Sequence, residues 1–197
     1  MGPTDEELVE AAQGGDSSAF SVLAQRWERQ IKGAIYRVLG SEDDARDLAQ
    51  EAFLKAYRAL GSFKREARFS SWLYQIALNL CRDRLRRRRG KIHVSLDEMD
   101  EENGPRLRHR GPSALELVEA SDLSRVVADA VATLPDEQRE VIVLKEYQDL
   151  TFLEISEVLD LPVSTVKTRL YRGLGQLRQS LEHQGIRNAA AAVAVVR

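Results

Sequence analysis

Apolar residues recur every three to four positions along most of this chain, which is the repeat of an α-helix. The first long example comprises Phe20, Leu23, Trp27, Ile31, Ile35 and Leu39. The prolines fall only where helices would end or loops would lie, at Pro3, Pro105, Pro112, Pro135 and Pro162. Strand-like alternation is confined to residues 92–96. The pattern therefore predicts an all-α fold.

The composition changes between residues 90 and 112, where the sequence is polar, contains Gly and Pro, and carries an acidic cluster at 97–102. Such a segment cannot bury enough apolar surface to fold by itself. We therefore predict two small helical domains joined by a flexible linker. The expected boundaries are 4–90 for the first domain, 91–114 for the linker, 115–184 for the second domain and 185–197 for a tail.

The first domain should contain three main helices. One begins at 16–20 with capping residues and ends at Gly40. The next should turn inward Ala45, Leu48, Ala52, Phe53 and Tyr57. After a loop at 61–68, a long helix should run from Phe69 to Arg89, with a buried stripe of Leu73, Ile76, Ala77 and Leu80.

The second domain has the pattern of a helix-turn-helix. After helices at about 117–131 and 134–144, two short helices at 151–160 and 164–181 are separated only by residues 161–163. Ile155, Val158, Leu159 and Leu161 should pack on Val166, Leu170 and Leu174, and Ser164 should be the N-cap. The last helix carries Lys167, Arg169, Arg172 and Arg178 before any acid. A one-sided basic helix after a short turn favours major-groove binding over an ordinary hairpin with a solvated face.

Aromatic residues precede a basic run at 84–91, and they are Phe63, Phe69, Trp72 and Tyr74. Aromatic faces beside cations suit an unstacked base, although core packing is the alternative for each ring. Phe63 lies in a polar loop, where a large apolar residue is less expected.

Other site classes find little support. Asp44, Asp47 and Glu51 share one side of a helix, but no histidine joins them, so a solvated or docking face is favoured over a metal site. The single cysteine, Cys81, next to apolar Leu80, is expected to be a buried thiol.

The acidic N-terminus is unlike a signal peptide, and the apolar run 189–196 is about half the length of a membrane span. We expect a cytoplasmic protein without membrane insertion, catalysis, cofactor or metal.

Four segments together resemble the extracytoplasmic-function (ECF) sigma factors. They are Asp43 to Phe53, Phe69 to Asn79, Leu134 to Arg139 and Ile155 to Arg169. The resemblance covers most of both domains in family order. Ser156 replaces a commoner alanine, and the basic patch 106–110 after the linker is unusual.

The resemblance implies partners and residue roles. Asp44, Asp47, Gln50 and Glu51 would dock on the clamp of the largest subunit of core RNA polymerase, and the second domain on the flap of the second-largest subunit. Phe63 and Asn79 would capture a flipped base of the promoter minus-ten element; we add Trp72, Arg82, Arg84 and Arg86 to this surface. The minus-thirty-five element would meet Lys167, Thr168, Tyr171 and Arg172, to which we add Ser164, Thr165 and Arg169.

The predicted function is promoter recognition and DNA melting for a stress or envelope-response regulon, with an anti-sigma factor as a further partner. Two other functions are the alternatives. A helix-turn-helix regulator acting without polymerase leaves the first domain unexplained, and a carboxylate metal nuclease requires a metal cluster that the sequence does not display.

Overall fold

The computed structural model describes residues 2–64, 67–95, 120–184 and 186, with only the backbone described at 91–95 and 120–124. In these residues there are helices and turns but no strands, which confirms the all-α prediction. Two compact units are present. The first holds the described residues among 2–36 and 42–95, and the second holds Arg37–Ser41 and the described residues from 120 onward. Predictions for Leu117, Val118, linker residues 96–114 with the patch 106–110, and tail residues 185 and 187–197 lie outside the described residues.

The described part of the first unit contains four helices, of which the first was not predicted. They are α1 (Asp5–Gln13), α2 (Ser17–Leu39), α3 (Glu42–Ala59) and α4 (Phe69–Ser95), with a short 3-10 turn at Leu60–Ser62. The last three residues of α2 belong to the second unit. Helix α1 begins with a capping box, in which the Thr4 hydroxyl accepts from the Glu7 amide and the Glu7 carboxylate accepts from the Thr4 amide. Leu8 and Val9 bury its inner face.

Helices α3 and α4 pack together through apolar faces close to those predicted. Ala45, Leu48 and Ala52 of α3 are buried, but Tyr57 is 50% exposed, so its predicted inward position is wrong. Its ring contacts Phe20 at a centroid distance of 5.1 Å near the surface. The buried face of α4 comprises Phe69, Leu73, Tyr74, Ala77, Leu78, Leu80 and Cys81, which confirms the buried thiol. Ile76, predicted in this stripe, is only half-buried.

Helix α4 is longer than predicted. It continues through Gly90 to Ser95, so the predicted end at Arg89 and the strand-like reading of 92–95 are both wrong. A glycine in a helix costs roughly 1 kcal/mol relative to alanine but removes no backbone hydrogen bond, so it need not end the helix.

The second unit contains α5 (Ala120–Ala132), α6 (Asp136–Ile142), a π-helical turn at Val143–Tyr147, α7 (Phe152–Leu159) and α8 (Val163–His183). Buried Arg139 closes the end of α5, since its guanidinium donates to the carbonyls of Val131, Ala132 and Leu134. Gly173 lets α6 approach α8 closely, because a Cβ there would lie 2.8 Å from Cδ1 of Ile142.

Helices α7 and α8 form the predicted helix-turn-helix. Asp160 ends α7 in the left-handed conformation, with φ of 53°. The N-cap of α8 is Pro162 and not Ser164, because Pro162 holds an extended backbone and its carbonyl accepts from the amides of Thr165 and Val166. Ile155, Val158, Leu159, Val166 and Leu170 are buried as predicted, whereas Leu161 and Leu174 are half-buried.

Candidate nucleic-acid interface

Three aromatic rings form a cluster where the turn after α3 meets the start of α4. The ring of Phe63 lies 4.7 Å from that of Trp72 and 6.2 Å from that of Phe69, measured between centroids. Phe69 is buried, whereas Phe63 and Trp72 are half-buried and reach the surface. Tyr74, predicted among the base-facing aromatics, is instead a core residue, and its burial raises the pKa of the phenol above its usual value.

A polar stripe extends from this cluster along α4. Trp72, Asn79 and Arg86 follow one another at intervals of seven residues, which is close to two helical turns and about 10 Å along the axis. Arg82 lies between the last two and donates to the amide oxygen of Asn79 at 3.2 Å. Arg86 is 79% exposed and bonds Asp83 at 2.8 Å. The outward face of α4 therefore presents rings, then an amide, then cations.

Arg84 does not belong to this stripe. Its guanidinium and that of Arg88 both pair with Asp44 of α3, whose side chain is only 10% exposed. Asp44 is therefore not solvated as predicted, and Arg84 is one of its two ion-pair partners. The three side chains connect α3 to the second half of α4, and the carboxylate of Asp44 is occupied by cations of the same chain.

The exposed face of α3 retains the other predicted docking residues. Asp47, Gln50 and Glu51 are all exposed, and Glu51 pairs with Lys55 at 3.1 Å. Leu54 lies one turn after Gln50 and is 48% exposed, a surface position that the apolar periodicity did not identify. The face therefore combines acids with an apolar patch.

The predicted recognition helix α8 presents its polar residues on one side. Ser164, Lys167, Thr168, Tyr171 and Arg172 are exposed, whereas Thr165 and Arg169 are half-buried beside them. Tyr171 is 65% exposed and therefore plays no part in the core. The hydroxyl of Thr168 donates to the carbonyl of Ser164 at 2.9 Å, which restricts its orientation.

Arg169 has an acidic partner at the edge of this surface. Its guanidinium lies 2.7 Å from the carboxylate of Glu137 at the start of α6. Both residues line a shallow cleft of about 300 Å³, together with Pro135, Gln138, Ser164, Thr165, Thr168 and Arg172. The sequence reading did not identify Glu137 because it lies 32 residues from Arg169 along the chain.

Metal sites and membrane spans are both absent from the part of the chain that the structure describes. No group of three or more His, Cys, Asp or Glu side chains there is arranged to hold a metal ion. No helix there combines the length and the apolar character needed to cross a bilayer.

Comparison with known proteins identifies the family of the chain. Residues 23–91 match Sigma-70 region 2, and residues 124–177 match Sigma-70 region 4. The chain is 34% identical to the ECF RNA polymerase sigma-E factor of Haemophilus influenzae, over 91% of this chain and 96% of the relative. The chain belongs to the ECF sigma factors. It is therefore a promoter-recognition factor of transcription initiation, as the sequence predicted.

Other ECF sigma factors show similar agreement. The ECF RNA polymerase sigma factor SigW of Bacillus subtilis is 36% identical over 89% of this chain and 96% of its own. The structure of CnrH in complex with the cytosolic domain of CnrY superposes with a TM-score of 0.67 and 27% identity, covering 91% of this chain and 97% of CnrH.

The internal role of Asp44 can be tested by its effect on stability. Asp44→Ala leaves Arg84 and Arg88 without their shared carboxylate, so we expect the free energy of unfolding of the first unit to fall by about 1–3 kcal/mol. Asp47→Ala, an exposed acid on the same helix, should change it by less than about 0.5 kcal/mol. Urea unfolding followed by tryptophan fluorescence measures this unit alone, because both tryptophans, Trp27 and Trp72, lie in it. Equal stabilities of the two variants would contradict the assignment.

Proposed function

We propose that this sigma factor opens the minus-ten element by capturing an unstacked base on the surface formed by Phe63, Trp72 and Asn79. The observation that carries the proposal is the alignment of the Phe63–Trp72 ring pair with Asn79 along one outward face of α4. We further propose that α8 reads the minus-thirty-five element and that the exposed face of α3 docks on core RNA polymerase.

Base capture requires compensation for lost stacking, since unstacking a base from a duplex costs a few kcal/mol. Stacking on a protein aromatic ring contributes about 1–3 kcal/mol per base. The Asn79 amide can both donate to and accept from a base edge, and Arg82 holds its oxygen in a defined orientation. Rings and amide together therefore offset the cost of opening.

Contacts to the phosphates of the DNA backbone would supply the rest of the affinity for the promoter. Arg82 and Arg86 lie further along the same face, where neighbouring phosphates would meet them. In the second unit, we propose that Lys167 and Tyr171, which are both exposed, contact base edges and that exposed Arg172 contacts the DNA backbone. Arg169 can contribute only by exchanging Glu137 for a phosphate.

The resemblance implies further partners and a setting. We propose action in the cytoplasm, on promoters of a stress or envelope-response regulon, under the control of an anti-sigma factor. CnrH was solved with a protein bound to it, which supports a protein partner for this chain as well.

The melting step can be tested with Asn79→Ala. This variant should still bind core polymerase and form the closed complex, but duplex opening should fall about tenfold or more because one base contact is lost. Permanganate reactivity of minus-ten thymines measures the opening. A promoter with a pre-melted bubble should restore most of the activity.

Gln30→Ala removes an exposed amide from α2 and is the matched control for this experiment. Wild-type opening rates in both Asn79→Ala and Phe63→Ala would show that base capture on this surface is wrong.

Docking through α3 predicts sensitivity to charge reversal. Asp47→Arg should weaken binding to core polymerase about tenfold or more, because an acid facing a basic partner becomes a like charge. Glu28→Arg makes the same charge change on an exposed position of α2 and should have little effect. Fluorescence anisotropy with labelled protein gives both affinities, and normal binding by Asp47→Arg would place the docking face elsewhere.

Readout by α8 predicts two kinds of loss. Lys167→Ala should change the preference at one minus-thirty-five position by about 1–3 kcal/mol, whereas Arg172→Ala should weaken all promoter sequences alike and reduce the salt dependence. Binding of the holoenzyme to promoter variants at several salt concentrations separates these effects. Sequence-independent losses in both variants would contradict the proposed roles.

A further inference from the structure

The side chain of Gln13 bridges two backbone carbonyls of the turn that carries Phe63. Its amide nitrogen donates to the carbonyl of Leu60 at 2.9 Å and to that of Phe63 at 3.0 Å. These oxygens stand at the two ends of the 3-10 turn Leu60–Ser62, which is also closed by the Phe63 amide donating to Leu60 at 3.1 Å. The two hydrogens of one amide group are thus used on the two ends of one turn.

Helix α1 holds Gln13 firmly in this position. At the start of α1, the Asp5 carboxylate accepts from the Trp27 indole at 2.9 Å and pairs with Arg26, which joins α1 to α2. Leu8 and Val9 bury the middle of α1. The helix ends at Gln13, so a side chain at its last position reaches a turn about 50 residues away in the sequence.

Fixing the turn also fixes the aromatic surface. Phe63 follows the turn directly, and its ring lies 4.7 Å from that of Trp72 on α4. Without a donor at Gln13, the Leu60 and Phe63 carbonyls would lose a protein partner, and the backbone at Phe63 could move. The rings would then be less well prepared for an incoming base, because preorganisation limits the ordering cost of binding.

We infer that Gln13 is a positioning residue for base capture: it holds the 60–63 turn so that Phe63 stays on Trp72 at the minus-ten surface. The inference rests on the base capture proposed above. Residue 13 lies before the segment that matches Sigma-70 region 2, which begins at residue 23. A residue of α1 would therefore act in promoter melting, although α1 makes none of the predicted DNA contacts.

The test uses full-length protein with Gln13→Leu, which keeps the size of the side chain and removes both donors. Gln30→Leu makes the same change at an exposed position of α2 and is the matched control. Hydrogen exchange at the amide of Phe63, measured by NMR, reports on the turn without DNA. Open-complex formation by the holoenzyme is then followed by permanganate on duplex and on pre-melted promoters.

We expect Gln13→Leu to speed exchange at Phe63 about tenfold or more and to slow duplex opening about tenfold, with recovery on the bubble promoter and normal core binding. Gln13→Lys, which retains a donor of similar reach, should restore part of both effects. A purely structural role would instead reduce activity equally on both promoters, and that result would overturn the inference.

The remaining outcomes separate this inference from base capture itself. Unchanged exchange at Phe63 overturns the role of Gln13, whatever happens to opening. Faster exchange with normal opening overturns its role in melting if Phe63→Ala still abolishes opening. If Phe63→Ala also opens promoters at the wild-type rate, the base-capture proposal is wrong, and Gln13 only stabilises the turn at 60–63.

Discussion

The rotation of α4 about its own axis decides which of its side chains reach the surface. Successive residues are about 100° apart around a helix, so a shift of one position would bury Asn79 and expose Leu78. Leu73, Leu78 and Cys81 fix the rotation by packing into the core. Asp44 adds a second constraint further along, because it holds both Arg84 and Arg88 on the side facing α3. Apolar packing and ion pairing favour the same rotation of α4. The outward position of the stripe from Trp72 to Arg86 follows from that rotation.

The aromatic residues near the start of α4 are likewise divided between the core and the surface. Phe69 and Tyr74 point into the core and stabilise the helix, whereas Phe63 and Trp72 overlap at the surface. Four aromatic residues close together in sequence thus serve two purposes. Only their positions around the helix and the turn separate the two rings that pack in the core from the two that reach the surface.

Local periodicity was sufficient for much of the fold. The inward face of α2, most of that of α3, the start of α2 capped by Asp16 and the existence of the helix-turn-helix all follow from spacing within one or two turns. The contacts that sequence reasoning missed are polar and distant along the chain. Asp44 meets arginines 40 and 44 positions away, and Gln13 reaches Leu60 and Phe63. An acid or an amide on a helix looks the same in sequence whether its partner is water or a distant residue.

Several arginines of this protein already carry an acidic counter-charge of their own. Arg84 and Arg88 share Asp44, Arg86 bonds Asp83, and Arg169 bonds Glu137. Affinity for arbitrary duplex DNA comes from counterions released as protein cations replace them along the backbone. A cation that is already paired with an acid of the same chain displaces fewer of these ions, and the formal net charge of the whole chain is only -2. We therefore expect the free chain to bind random duplex DNA weakly, so that the large excess of nonspecific genomic sites competes less with its other partners.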